Sequence, residues 1–144
     1  MKPVFALLKS SNATLWHVRA DETVYEALKL LAEHEIGALM VMDHGKVIGI
    51  LSERDYTRKV ALQGRNSKET TVAEIMTRDV ISISPHTDTR EAMALMSRNK
   101  IRHLPVIEGT EVLGMISIRD ILAYIAGRFP EEMMNLPPDP SHES

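Results

Sequence analysis

The feature that most restricts what this chain can fold into is that it is written twice. Displaced by 65 positions, residues 17–61 fall on residues 82–126 without a gap, and twelve of the 45 pairs are identical. Ordinary residue usage would give about three by chance. The identities include Glu26/Glu91, Ile36/Ile101, Val41/Val106, Gly49/Gly114, Ser52/Ser117, Arg54/Arg119 and Asp55/Asp120, and most other pairs swap like for like. A repeat of this size cannot bury enough surface alone. Two matched copies can, by pressing their sheets together about a pseudo-two-fold axis, and such packing creates two equivalent clefts.

Within each copy the apolar period changes in the same order. Trp16-His17-Val18 and Val80-Ile81-Ser82-Ile83 are β-branched stretches that predict strands. Val24, Ala27, Leu28 and Leu31 then recur at helical spacing, as do Ala92, Leu95 and Met96, with Thr23 or Asp88 placed to cap. Two apolar runs follow, Leu39–Met42 and Val47–Leu51 around Asp43-His44-Gly45-Lys46, and Leu104–Ile107 and Val112–Ile116 around Glu108-Gly109-Thr110-Glu111. Glycine sits one place earlier in the second turn, so the two hairpins are expected to differ in turn type. A second helix is expected to start after Ser52 or Ser117 and to end before Gly64 or Gly127. The expected fold class is α/β (α+β), tandem β-α-β-β-α repeats packed sheet to sheet. The expected division is residues 1–66 for the first repeat with its N-terminal arm, 67–129 for the linker and second repeat, and 130–144 for a loose tail. A helical turn is predicted at Val72–Met76 in the linker. Pro130, Pro137, Pro138 and Pro140 predict that the tail holds no regular hydrogen-bonded structure.

Composition excludes several classes. Cysteine is absent, which removes disulfides and thiolate metal sites, and the net charge of −3 lacks the basic excess of a general nucleic-acid binder. No apolar stretch approaches the roughly 18 residues of a membrane span, and the apolar part of the N-terminus is too short for a signal peptide. A cytoplasmic protein is expected, with neither membrane nor nucleic acid as a partner.

The segments that carry chemistry are Gly49-Ile50-Leu51-Ser52-Glu53-Arg54-Asp55 and Gly114-Met115-Ile116-Ser117-Ile118-Arg119-Asp120. Each joins a buried strand to a helix. Glycine lets another backbone or a flat ligand approach the strand. Serine caps a helix whose N-terminus attracts phosphate. Arg54 and Arg119 supply forks for phosphate oxygens, and Asp55 and Asp120 can accept from ribose hydroxyls. Capping alone explains the Ser-x-x-Asp pairs without any ligand. It does not call for the arginine and the strand glycine at the same spacing in both copies, which favours a nucleotide site.

These residues resemble the CBS-domain family, named after cystathionine β-synthase, whose tandem repeats end in G-h-h-[ST]-x-x-[DN]. The resemblance covers about residues 3–127, with Val72-Ala73-Glu74-Ile75-Met76-Thr77 matching the approach to a repeat and Ile101-Arg102-His103-Leu104-Pro105-Val106 that to a second strand. It implies stand-alone regulatory pairs that bind AMP, ADP, ATP, or sometimes NAD or S-adenosylmethionine, with no catalytic cofactor, and that form back-to-back homodimers acting on a regulated partner. By that likeness Asp55 and Asp120 hold ribose, while Ser52, Ser117, Arg54 and Arg119 serve ribose or phosphate. Adenine lies near Val18, Ala38, Leu39 and Ile50 in one cleft, and near Val80, Ile81, His103, Leu104 and Met115 in the other, with Arg58, Thr77 and Pro105 completing the candidates. The first repeat's second helix carries Arg58 and Lys59 where the second has Ala123 and Tyr124, so it is expected to handle the longer phosphate chain.

Other features point away from chemistry. His34 between Glu33 and Glu35 reads as a solvated helix end, since helix neighbours point apart. His86 and His142 have no sequence neighbours at metal spacing, and the methionines on apolar stripes read as core. No nucleophile elbow, zinc-protease motif or phosphate loop occurs, so catalysis is not expected. The class-different alternative is an assembly protein whose clefts are vestigial.

Overall fold

The computed structural model describes residues 3–10 and 16–140. In chain order, a short arm helix α1 (Val4–Ser10) precedes β1 (His17–Val18), α2 (Val24–His34), β2 (Ala38–Asp43), β3 (Lys46–Ser52) and α3 (Glu53–Tyr56). A π-helical turn over Thr57–Ala61 continues α3, and α4 (Val72–Ile75) supplies the helical turn expected in the linker. Then follow α5 (Thr89–Asn99), β4 (His103–Glu108), β5 (Glu111–Ser117), α6 (Ile118–Arg128) and a 3-10 helix over Pro130–Asn135. The architecture is mixed α and β. The chain divides into two units, one of residues 16–80 and one of residues 1–15 with 81–144.

In the first unit, β1 pairs parallel with β2 and β2 pairs antiparallel with β3. Val24, Ala27 and Leu31 turn the stripe of α2 onto this sheet, joining Val18, Leu39, Val41, Leu51, Val60, Val72, Ile75 and Met76 in one core. Four successive residues of β2 are buried, as an unbroken apolar run requires when both faces of the strand are covered. Gly49 admits a neighbour closely. A Cβ there would stand 2.6 Å from Met76 Sδ and 3.1 Å from the Thr77 carbonyl. Ile50 and Thr77 exchange backbone hydrogen bonds at 3.0 and 2.9 Å. What approaches this strand is therefore another stretch of backbone.

The second unit repeats the plan with two differences. Its β4–β5 ladder has the register of β2–β3, including an irregularity after Val106 that matches the one after Val41. The strand expected at 80–83 reduces to a parallel bridge of Ile83 to Val106, held by Ile83 N–H to Pro105 O (3.0 Å) and Ile107 N–H to Ile83 O (2.8 Å). Pro85, where the first copy has Ala20, removes a backbone donor just beyond this bridge. The core gathers Ile83, Met93, Met96, Leu104, Val106, Ile116, Ile118, Ile121 and Ile125.

That core also takes Val4 and Leu7 of the arm. Val4 N–H donates to Thr87 O (2.8 Å) and Phe5 N–H to Pro85 O (2.9 Å). The arm thus packs with the second copy, where the sequence division had grouped it with the first. The apolar face of α1 needs a core, and covalent neighbourhood does not decide which one it meets.

The turns differ as expected. His44 and Gly45 both take positive φ (49° and 78°), the pattern of a type I′ turn, while Gly109 is the positive-φ residue of the other (61°), as in type II′. The tail corrects the sequence reading. Proline at the first position of a helix gives up an N–H that would have no partner there, so Pro130 starts the 3-10 helix in place of preventing it. Glu132 N–H donates to Phe129 O (2.9 Å) and the Arg90 guanidinium to Asn135 O (2.5 Å). His142 and the other residues after Pro140 lie outside the described residues.

Candidate functional site

The two strand-to-helix corners are built alike. Ser52 and Ser117 end their strands in extended conformation (φ −114° and −111°), and each closes a full capping box with the aspartate three residues on. Ser52 N–H donates to Asp55 Oδ2 (2.9 Å) and Asp55 N–H donates to Ser52 Oγ (3.1 Å). The same pair of bonds at the second corner measures 2.9 and 3.0 Å. Opposite each serine on the neighbouring strand stands Ala38 or His103, both candidate residues. Capping therefore accounts for one oxygen of each aspartate.

The corners part company at the second oxygen. Asp55 is 8% exposed. Its Oδ1 meets Lys59 Nζ at 3.0 Å and accepts from Thr77 Oγ1 at 3.3 Å. Lys59 Nζ also donates to Ile75 O (2.9 Å). The first corner is thus filled from within. This corrects the reading of Lys59 as a phosphate-facing residue, because its ammonium turns inward to the cap. Asp55 and Lys59 stand at the i,i+4 spacing of helix ion pairs, the one sequence signal that points to this pairing. At the second corner Tyr124 holds the place of Lys59 and is packed in the core. Among the described residues, no hydrogen bond or ion pair reaches Asp120 Oδ1.

His103, opposite Ser117 across the β4–β5 ladder, lies mostly buried. Burial, reinforced by the neighbouring Arg102 charge and opposed by Asp120, lowers its pKa to about 4. The imidazole is neutral at physiological pH, with one nitrogen donor and one acceptor. Arg54 and Arg119 are exposed on the first turns of their helices.

The remaining candidates divide by burial. Val18 and Leu39, and likewise Leu104, are core residues with at most 1% exposure, so their side chains serve packing. Ala38 and Pro105 are also buried. Ile50 and Met115 lie partly open on β3 and β5, Arg58 is exposed on the π-helical turn, and Thr77 is exposed beside Asp55. Val80 ends the first unit and Ile81 begins the second segment of the other. A shallow depression lined by Arg19, Ala20, Asp21, Met42, Asp43 and Ile48 contains none of the candidates.

Two histidines have partners that the sequence did not indicate. His34 stacks on Trp16 at 3.5 Å between ring centroids, and His86 Nε2 lies 3.0 Å from Glu108 Oε2. No group of three or more His, Cys, Asp or Glu that could hold a metal occurs among the described residues. Nor is any described helix long and apolar enough to cross a membrane.

Two units that share a helix, a hairpin and a capped strand-to-helix corner in the same order define a tandem-repeat module. The CBS domain profile matches residues 12–62 and 72–127. The chain is 41% identical over 133 residues to the mitochondrial CBS domain-containing protein CBSX3 of Arabidopsis thaliana, an alignment covering 89% of this chain and 65% of that protein. It therefore spans less than two thirds of that relative. A CBS-domain protein of Burkholderia ambifaria assigned to signal transduction superposes with a TM-score of 0.85 at 44% identity, covering 89% of this chain and 96% of that one. The hexameric CBS-CP12 protein of bloom-forming cyanobacteria gives 0.78 at 29% identity, over 92% and 75%. The chain belongs to the CBS-domain family.

Proposed function

We propose that this protein is a non-catalytic regulatory module that binds an adenosine nucleotide (AMP, ADP, ATP or NAD) and passes its occupancy to a partner protein, acting in the cytoplasm as a homodimer. The observation that carries the reading is the β5–α6 corner. There Asp120 commits one oxygen to the helix cap and keeps the other for a donor such as a ribose hydroxyl. The neutral imidazole of His103, opposite Ser117 on the neighbouring strand, offers a donor and an acceptor suited to an uncharged ring. Arg119 and the N-terminus of the eleven-residue α6 bring positive charge to the same end, which suits phosphate. The signal-transduction assignment of the Burkholderia relative agrees with a regulatory role.

Thermal denaturation with AMP, ADP, ATP and NAD tests this. A ligand at a hundred times its dissociation constant stabilises by about 2.7 kcal/mol, a rise of several degrees for a chain of this size. Asp120→Ala is expected to erase the shift while costing about 1 kcal/mol through the lost cap. The competing assembly reading draws on the complete capping boxes, which leave Ser52 and Ser117 without need of a ligand, and on the hexameric CBS-CP12 relative. It gains if no adenosine compound moves the midpoint while light scattering shows a stable oligomer.

A further inference from the structure

We infer that Lys59 is an internal plug of the first corner, so that the two copies are unequal and the unmodified chain takes nucleotide at the second corner alone. The inference rests on the nucleotide reading above and adds a stoichiometry and a residue that sets it. Asp55 Oδ1, the equivalent of the oxygen left over at Asp120, faces Lys59 Nζ at 3.0 Å and Thr77 Oγ1 at 3.3 Å. The ammonium is anchored twice, because it also donates to the Ile75 carbonyl at 2.9 Å. Asp55 Oδ2 is no freer, since it accepts from both the N–H and the hydroxyl of Ser52, at 2.9 and 3.0 Å. All the acceptor capacity of this buried carboxylate is directed at protein donors. A ribose hydroxyl that sought it would have to displace an ammonium held by two acceptors, offering a neutral donor in exchange for a charged one.

The helices show why only one copy is plugged. In the second, α6 runs regularly for eleven residues, and Tyr124 at the equivalent place packs into the core near Phe129, their ring centroids 5.9 Å apart. In the first, α3 gives way after Tyr56 to the π-helical turn that carries Lys59, closed by Leu62 N–H to Thr57 O at 3.0 Å. Position 59 is therefore a cation with a long stem on a widened turn, whereas position 124 is a ring held by neighbours. Lys59 keeps some solvent access, with a side chain 42% exposed, so it can be replaced without opening a core cavity.

Calorimetric titration with AMP tests the inference on the full chain, comparing the unmodified protein, Lys59→Met and Lys59→Gln, after thermal melts establish that both variants fold. The expected result is one AMP per unmodified chain, lost in Asp120→Ala. Two per chain are expected in both lysine variants, the added site disappearing in Lys59→Met/Asp55→Ala. Two AMP per unmodified chain, or one per chain in both lysine variants, overturns the plug and leaves the nucleotide reading standing. Binding to none of the proteins overturns the nucleotide reading and the plug with it. Binding only to the lysine variants upholds the plug and removes the second corner as the native site.

Discussion

Lowering the pH should destabilise this protein through His103, and the size of the effect follows from its surroundings. The folded imidazole titrates near 4 because it is buried near Arg102, against 6.5 when exposed. Between those values the unfolded chain binds a proton that the folded chain refuses, so folding stability rises with pH across this window and falls on acidification through it. At pH 7.5 both states are neutral and nothing is lost. By pH 5 the unfolded histidine is mostly charged while the folded one remains mostly neutral, a penalty of about 2 kcal/mol. The measurement is urea denaturation at pH 7.5 and pH 5.0 for the unmodified protein and for His103→Ala, which installs the residue that the first copy carries at Ala38. The difference between the two proteins should shift by about 2 kcal/mol between the two pH values, in favour of the variant under acid. NMR titration of the ring gives an independent check. A ring titrating near 6.5, or identical pH dependence in the two proteins, refutes the argument, since burial would then not be suppressing the charge.

Other outcomes follow from the backbone and the close contacts. Glu35 and Lys100 end α2 and α5 in the left-handed conformation (φ 52° and 53°), each followed by an N–H that reaches back to Leu31 O or Met96 O. Replacing either with glycine should stabilise by up to about 1 kcal/mol, read as a rise in the urea midpoint at constant slope. Gly49→Ala should cost about 1–3 kcal/mol, because the added methyl meets Met76 Sδ at 2.6 Å and the Thr77 carbonyl at 3.1 Å. A neutral Gly49→Ala would mean that the linker backbone yields there at no cost.

Most of the repeat plan was legible because the sequence states it twice. The stripe Val24, Ala27, Leu31, the Ser-x-x-Asp corners and the offset glycines of the hairpins are local signals, and local hydrogen bonding executes them. The features that departed from expectation depend on distant partners. Which core accepts Val4 and Leu7 depends on shape and not on spacing. The pairing of His86 with Glu108 is invisible until β4 is in place. At the candidate site, spacing alone could have offered Lys59 to Asp55, but phosphate handling and an internal ion pair use the same residue types. Only the burial of Asp55 and the position of the Ile75 carbonyl distinguish them. The second oxygen of Asp120 was unreadable for the same reason, since nothing in a motif says how many donors surround a carboxylate.

The arm helix has a consequence for how the chain is made. Residues 16–80 hold one unit in a single continuous segment, so its contacts are all available once that segment has left the ribosome. The other unit needs residues from both ends of this stretch, and Val4 and Leu7 must wait, apolar and uncovered, until Leu104, Ile116 and Ile125 are synthesised. Removing α1 would therefore strip Val4 and Leu7 from the core that Leu104, Ile116 and Ile125 complete later in synthesis.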